Sequence, residues 1–206
     1  MEELTSFHDF TILVITLIIT FVGYVMLRLV INKWINKKLS AHHGLEFIWT
    51  ILPAVILVAI AIPSLTLLFM LEDSADAYIT VKAIGRQWYW VYRWAGQSSE
   101  GEGELLERYM IPPAQGREDL FRLLDTTAPL YLPLEVPVRV FIRSSDVLHS
   151  WTVPSLGVKA DACPGRLNEV VLQAKRPGLF YGQCSEICGA NHSFMPIQLI
   201  VWSWLD

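Results

Sequence analysis

Two long apolar runs dominate the first third of the chain. Phe10 to Leu27 (FTILVITLIITFVGYVML) holds eighteen residues without a charge, and Phe47 to Leu71 (FIWTILPAVILVAIAIPSLTLLFML) holds twenty-five. A helix needs about 20 apolar residues to cross a bilayer. The pattern therefore predicts two membrane-spanning helices, at about 10–30 and 47–71. Tyr24 and Arg28 then lie at the interface, with Arg28 snorkelling to water. Buried core helices are the competing reading, but two such runs would need a core larger than this chain builds. Pro53 and Pro63 interrupt the second run, and membrane helices tolerate proline.

The connecting segment INKWINKKLSAHHGLE carries Lys33, Lys37 and Lys38, close to Arg28. The positive-inside rule puts this loop on the cytosolic or matrix side and both termini on the other. The N-terminal MEELTSFHD is acidic, and no small-residue cleavage site follows the first run, so it reads as an anchor rather than a cleaved signal.

Beyond the second run the pattern changes from continuous to alternating. The chain divides into a hairpin over 1–73 and a soluble domain over 74–206. Tyr78 to Trp94 (YITVKAIGRQWYWVYRW) is rich in aromatic and β-branched residues, which favour strands. In Pro129 to Ser144, Val136, Val138, Val140 and Ile142 share one face, and Arg139, Phe141 and Arg143 the other. Glu169–Lys175 and Gln198–Trp204 read as further strands, and 100–120 as a polar loop with a strand fragment. Frequent proline and glycine punctuate these segments. The expectation is an all-β sandwich or barrel.

Composition sharpens this picture. Of 206 residues, 53% are hydrophobic and only 17% charged, against about 25% charged in a typical soluble domain. The net charge of -4 argues against a nucleic-acid partner. From Glu72 onward there are sixteen acids and twelve bases, whereas the segment before it is balanced at four of each. The excess acid on the exported side favours a basic partner there, a solvated surface being the plainer explanation.

The candidate chemistry is concentrated in YGQCSEICGANHSFMP, from Tyr181 to Pro196. A disulfide between Cys184 and Cys188 would close a tiny loop and leave His192 and Met195 unexplained. A structural zinc site rarely recruits a thioether. Methionine beside cysteine and histidine points to a softer metal, copper above all. Single-copper carriers use two histidines, one cysteine and a weak methionine, so this stretch has one cysteine too many and one histidine too few. His149, in SSDVLHSW after the alternating strand, supplies the second imidazole. Two cysteines, two histidines and a methionine suffice for two coppers bridged by two thiolates. The Glu186 carbonyl, between the cysteines, is placed to fill the remaining axial position. Cys163, in DACPGRLN, reads as a buried small hydrophobe without a ligand role.

At these residues the sequence resembles the cytochrome c oxidase subunit II family. The likeness is carried by SSDVLHSWTVPSLGVKADACPGRLN at 144–168 and RPGLFYGQCSEICGANHSFMP at 176–196. GRQWYWVYRW at 85–94 and WTILPAVILVAIAIPSL at 49–65 add to it, and it spans nearly the whole chain. The resemblance implies a two-helix transmembrane hairpin followed by a cupredoxin-like domain holding the dinuclear CuA centre. Its ligands would be His149, Cys184, the Glu186 carbonyl, Cys188, His192 and Met195. The centre would take electrons from cytochrome c and pass them to haem in subunit I of a proton-pumping oxidase. The Glu186 carboxylate would reach a magnesium ion shared with subunit I. Trp88 matches the aromatic at which electrons enter, Asp146 an acidic docking position, and Glu46 the mouth of a proton path. The plainer alternatives are a buried aromatic cluster for Trp88, Tyr89 and Trp90, and a helix-capping glutamate for Glu46.

The implied partners are subunits I and III, cytochrome c and membrane lipid, with no nucleic acid. The implied location is the mitochondrial inner membrane, with the β-domain in the intermembrane space. The bacterial plasma membrane, with the domain in the periplasm, is the alternative. Two departures stand out. Arg93 and Trp94 replace acids common in the family, leaving Glu100, Glu102, Glu104 and Glu107 to supply the charge. A longer C-terminal tail beyond Trp204 is also missing. The rivals are a quinol oxidase subunit II, which lacks the copper ligands, a tethered copper-delivery module, which has no use for an exposed Trp88, and a structural zinc domain, disfavoured by Met195.

Overall fold

The computed structural model describes residues 1–34, 36, 40–72, 77–94, 104–112 and 121–203. Lys37, Lys38, Glu100, Glu102 and Trp204 lie outside these residues. The chain forms two units, Met1–Met70 and Leu71–Asp206.

The first unit is the helical one. Helix α1 spans Glu2–Ile31 and α2 spans His43–Glu72, thirty residues each. At 1.5 Å per residue each is about 45 Å long, more than the ~30 Å hydrocarbon core requires. Both run past the uncharged stretches because polar residues continue the helix once backbone hydrogen bonds have propagated. Apolar side chains face outward all round: Ile19, Phe21, Leu57 and Phe69 are each at least 66% exposed. A helix hydrophobic on every side without protein cover is suited to lipid. Thr50 and Thr66 turn their hydroxyls back to the carbonyls of Glu46 and Ile62, at 2.8 and 3.1 Å. This satisfies each hydroxyl within its own helix. The first turns of α1 and the last turns of α2 share a groove of about 510 Å³, so the helices run antiparallel.

Among the described residues, the second unit contains ten strands. They are β1 (Ile79–Arg86), β2 (Tyr89–Trp94), β3 (Leu106–Arg108), β4 (Leu130–Pro133), β5 (Val138–Ser144), β6 (His149–Val153), β7 (Val158–Ala162), β8 (Asn168–Leu172), β9 (Gly178–Gln183) and β10 (Pro196–Trp202). One sheet has the order β3-β2-β1-β5-β8, a second β4-β10-β9, and β6 pairs with β7. Strands β1 and β5 are parallel, as are β4 and β10. A parallel pair needs a crossover, and the β1–β5 connection passes through β4 of the second sheet before returning to the first.

The alternation in β5 survives in three dimensions. Val138, Val140 and Ile142 are buried and Arg143 is exposed. Val140 lies opposite Val81 and Ile142 opposite Ala83 on the same inner face. Trp151 of β6 and Ile197 and Leu199 of β10 complete the core. The Trp151 Nε1–H donates to the buried Tyr92 hydroxyl at 3.0 Å, so both polar tips are satisfied.

The stretch 78–94 is two strands, with Gln87 and Trp88 at the turn between them. Strands β6, β7 and β9 were not expected. All five residues of β6 are buried, so no alternation marks it in the sequence. Cys163 is half-buried rather than buried, because it sits in the turn after β7. Its carbonyl accepts from the Ser144 and Arg166 backbone N–H groups at 3.3 and 3.4 Å.

Candidate metal centre

Three segments converge at one end of the β-domain. Strand β6 opens with His149, the β9–β10 loop carries residues 184–195, and the β1–β2 turn brings Gln87 and Trp88. The loop is tied to β6 by the Ser185 N–H, which donates to the Ser150 carbonyl at 3.1 Å. A short 3₁₀ turn, His192–Phe194, then folds the loop back before β10.

Inside this loop the soft donor atoms cluster. The Cys184 and Cys188 Sγ atoms are 4.0 Å apart. His149 Nδ1 lies 3.9 Å from the Cys184 sulfur, and His192 Nδ1 lies 3.5 Å from the Cys188 sulfur. Met195 Sδ is 3.6 Å from Cys188 Sγ, and the Glu186 carbonyl oxygen is 3.3 Å from Cys184 Sγ. The His149, Cys184 and Cys188 ligand atoms all lie within 4.8 Å of one another, and all three residues are buried. Met195 is buried too, while His192 and Glu186 are half-buried. All six expected ligand positions therefore meet in one place.

The donor types fit a soft metal. Thiolate and thioether sulfur with imidazole nitrogen suit copper, whereas magnesium and calcium prefer oxygen. Electrostatics points the same way. Burial disfavours the Cys184 thiolate, but hydrogen bonds from His149 and from the Glu186 and Ser150 backbone outweigh it and lower the thiol's pKa. Burial and the adjacent Cys184 push the Cys188 thiol up. Two thiolates this close repel each other until a cation lies between them.

Asp146 orders His149. Its Oδ1 is 2.8 Å from His149 Nε2 and accepts from the Val147 N–H at 2.7 Å and the Ser144 hydroxyl at 3.1 Å. Its Oδ2 accepts from the Gln87 N–H at 2.7 Å. Burial works against its ionisation, but these bonds hold the carboxyl below its ordinary range. For His149, burial is likewise outweighed, by Cys184 and Asp146, and its pKa rises. A carboxylate on the far nitrogen sets the tautomer, leaving Nδ1 facing the Cys184 sulfur.

Two contacts were not anticipated. The Gln87 side-chain amide donates to the Cys188 carbonyl at 2.8 Å, and Trp88 Nε1 donates to the same oxygen at 3.3 Å. Glycine makes the close packing possible. Gly189 has φ +125, and a Cβ there would meet the Trp88 ring at 3.1 Å. A Cβ on Gly85 would meet the His149 ring at 2.8 Å. Nothing local in the sequence marks Gln87, because its partner is 101 residues away. Trp88 is half-buried at this turn, so it belongs neither wholly to the core nor to the surface.

Other expected positions lie apart from the cluster. Glu46 is in the first turn of α2, where Oε1 accepts from the His42 N–H at 3.3 Å and Oε2 lies 3.6 Å from His43 Nδ1. Glu104 and Glu107 are exposed, and Glu107 Oε2 accepts from the Tyr109 hydroxyl at 2.8 Å.

Two long apolar helices and a β-sandwich with a buried Cys–His–Met cluster define a class: a membrane-anchored cupredoxin-type protein. Residues 1–67 match the family described as cytochrome C oxidase subunit II, transmembrane domain, and residues 79–201 match its periplasmic domain. The chain belongs to the cytochrome c oxidase subunit II family and is thus a subunit of a haem-copper oxidase with a CuA-type domain. It is 50% identical over 199 residues to cytochrome c oxidase subunit 2 of Yponomeuta malinellus, covering 97% of this chain and 86% of that protein. The Schistocerca gregaria protein is 52% identical with the same coverage. Among solved structures, the periplasmic domain of subunit II of Bradyrhizobium japonicum cytochrome oxidase is similar, with a TM-score of 0.56 and 39% identity. That match covers 63% of this chain and 88% of the other.

Proposed function

We propose that this chain is the electron-accepting subunit of a cytochrome c oxidase, serving the reduction of dioxygen to water and its coupled proton pumping in the assembled complex. The single observation that carries this is the convergence of six donor groups from two remote segments at one end of the sandwich. When bound there, a dinuclear copper pair supplies one-electron redox chemistry between cytochrome c and the haem of subunit I.

The chain's own residues do the holding. His149, Cys184, Cys188, His192 and Met195 offer side-chain donors and Glu186 its carbonyl. Strands β6, β9 and β10 fix their backbones, so the donors are positioned before any metal arrives. Trp88 is proposed as the point where electrons enter, because its indole donates to the carbonyl of Cys188, itself a proposed ligand, at 3.3 Å. Asp146 is proposed to act twice. Its side chain is 31% exposed, enough to present charge to a basic cytochrome, and its inner bonds orient His149.

The Glu186 carboxylate is proposed to bind magnesium at the boundary with subunit I. Glu46, 43% exposed at the start of α2, is proposed to stand at the mouth of a proton path. Its capping contacts leave the carboxylate reachable by water. Subunit III is a further proposed partner. The insect relatives support the mitochondrial inner membrane, with the β-domain in the intermembrane space.

Metal analysis and paramagnetic resonance of the purified β-domain test this reading. We expect two coppers per domain and a mixed-valence signal shared between them. One copper, or a colourless zinc form, would refute it.

A further inference from the structure

Helix α1 ends in a turn that builds a charged groove. The Asn32 N–H donates to the Arg28 carbonyl at 2.9 Å and closes the helix. The Asn32 side chain then bridges forward. Its Oδ1 accepts from the Trp34 N–H at 3.1 Å, and its Nδ2 donates to the Trp34 carbonyl at 3.3 Å. These bonds hold Lys33 and Trp34 beside the last turn of the helix. Together with Tyr24, Val25, Arg28 and Leu29 they line a groove of about 550 Å³.

The lining has three chemistries in register. Val25 and Leu29, one turn apart, form an aliphatic wall on α1. Arg28 and Lys33 bring two cations, and among the described residues neither takes part in an ion pair. The carbonyl end of a helix favours cations at this position. Tyr24 is 60% and Trp34 89% exposed. Amphipathic aromatics of this kind sit at headgroup depth. The cations lie where the apolar helix leaves the bilayer, on the side that the positive-inside rule assigns to cytosol or matrix. Basic pockets beside membrane helices on that side suit anionic headgroups.

We propose that this groove binds one anionic phospholipid. The phosphate lies between Arg28 and Lys33, the glycerol region meets Tyr24 and Trp34, and one acyl chain follows Val25 and Leu29. A zwitterionic choline lipid is a poorer occupant, because its own cation is repelled by the same two side chains. A protein segment would have to bring carboxylates to both cations at headgroup depth, where lipid phosphates already lie.

Photolabelling of the intact, purified oxidase complex tests this. Photoreactive phosphatidylglycerol and photoreactive phosphatidylcholine are supplied in detergent at equal ionic strength, and labelled peptides are mapped by mass spectrometry. We expect the glycerol probe to label residues 24–34 at least about fivefold more than the choline probe, since one near-surface basic residue accounts for about that factor. Replacing Arg28→Gln and Lys33→Gln together removes the preference without changing labelling elsewhere. Equal labelling by the two probes, no labelling of 24–34, or a preference that persists in the double variant each overturns the proposal. If the double variant does not assemble, the comparison of headgroups on the unsubstituted complex decides the matter.

Discussion

Asp146→Asn is a change of one atom type whose cost can be worked from the structure. The carboxylate accepts from the Gln87 N–H, the Val147 N–H and the Ser144 hydroxyl, and pairs with His149 Nε2, at 2.7 to 3.1 Å. An amide has one oxygen, so whichever way it turns, an NH₂ group faces a donor. If the oxygen stays toward His149, the Gln87 N–H loses its acceptor. Leaving such a donor unpaired costs about 1–3 kcal/mol, and losing the charge weakens the His149 bond by about another 1 kcal/mol. Partial exposure of the side chain screens both, so about 2 kcal/mol is expected. Urea denaturation of the metal-free β-domain, followed by tryptophan fluorescence, measures it. A midpoint shift equivalent to less than about 0.5 kcal/mol, at unchanged slope, would refute the hydrogen-bond account.

The same reasoning sets a pH dependence. The folded carboxyl of Asp146 lies below its ordinary value, so folding favours the ionised form. Its contribution is therefore complete above the unfolded value of about 3.9 and is lost as pH falls through the folded value. The difference in stability between the parent domain and the Asp146→Asn variant should shrink as pH falls below about 4. A difference that stayed constant would mean that charge plays no part.

Other expectations concern the metal loop. Replacing Trp88→Phe keeps an aromatic ring but removes the Nε1 donor, so stopped-flow electron uptake from cytochrome c should slow by at least about tenfold while the copper spectrum is unchanged; a collapsed spectrum would make Trp88 structural. Gly189→Ala forces φ +125 on a side chain and crowds the Trp88 ring at 3.1 Å, so it should cost about 1–3 kcal/mol in the same denaturation assay. Copper affinity should rise between about pH 5 and 8 with measurable proton release, because ligand thiols must deprotonate and burial holds the Cys188 thiol high. An affinity flat across that range would exclude a thiolate-bound metal.

Several features were legible in the chain alone because their physics is local. An uninterrupted apolar run must leave water whatever its neighbours do, so both membrane helices could be read directly. Cys184, Cys188, His192 and Met195 lie within one loop, and their donor types already point to a soft metal. The alternation in β5 survived because only one of its faces is buried. Other features depend on contacts that no local pattern encodes. Strand β6 is covered on both faces, and burial on both sides erases the period-two signal. Gln87 meets Cys188 across 101 residues, and Gly85 is needed only because the His149 ring lies against it. Asp146 matches an acidic docking position by resemblance, but the fold turns three of its four bonds toward Ser144, Val147 and His149, all within three residues of it, and the fourth toward the β1–β2 turn. Sequence thus determined which chemical groups are available and which segments must be buried. Tertiary structure decided which of them meet, because hydrogen bonds and close contacts act over a few ångströms and the parallel β1–β5 and β4–β10 pairings bring remote segments that close.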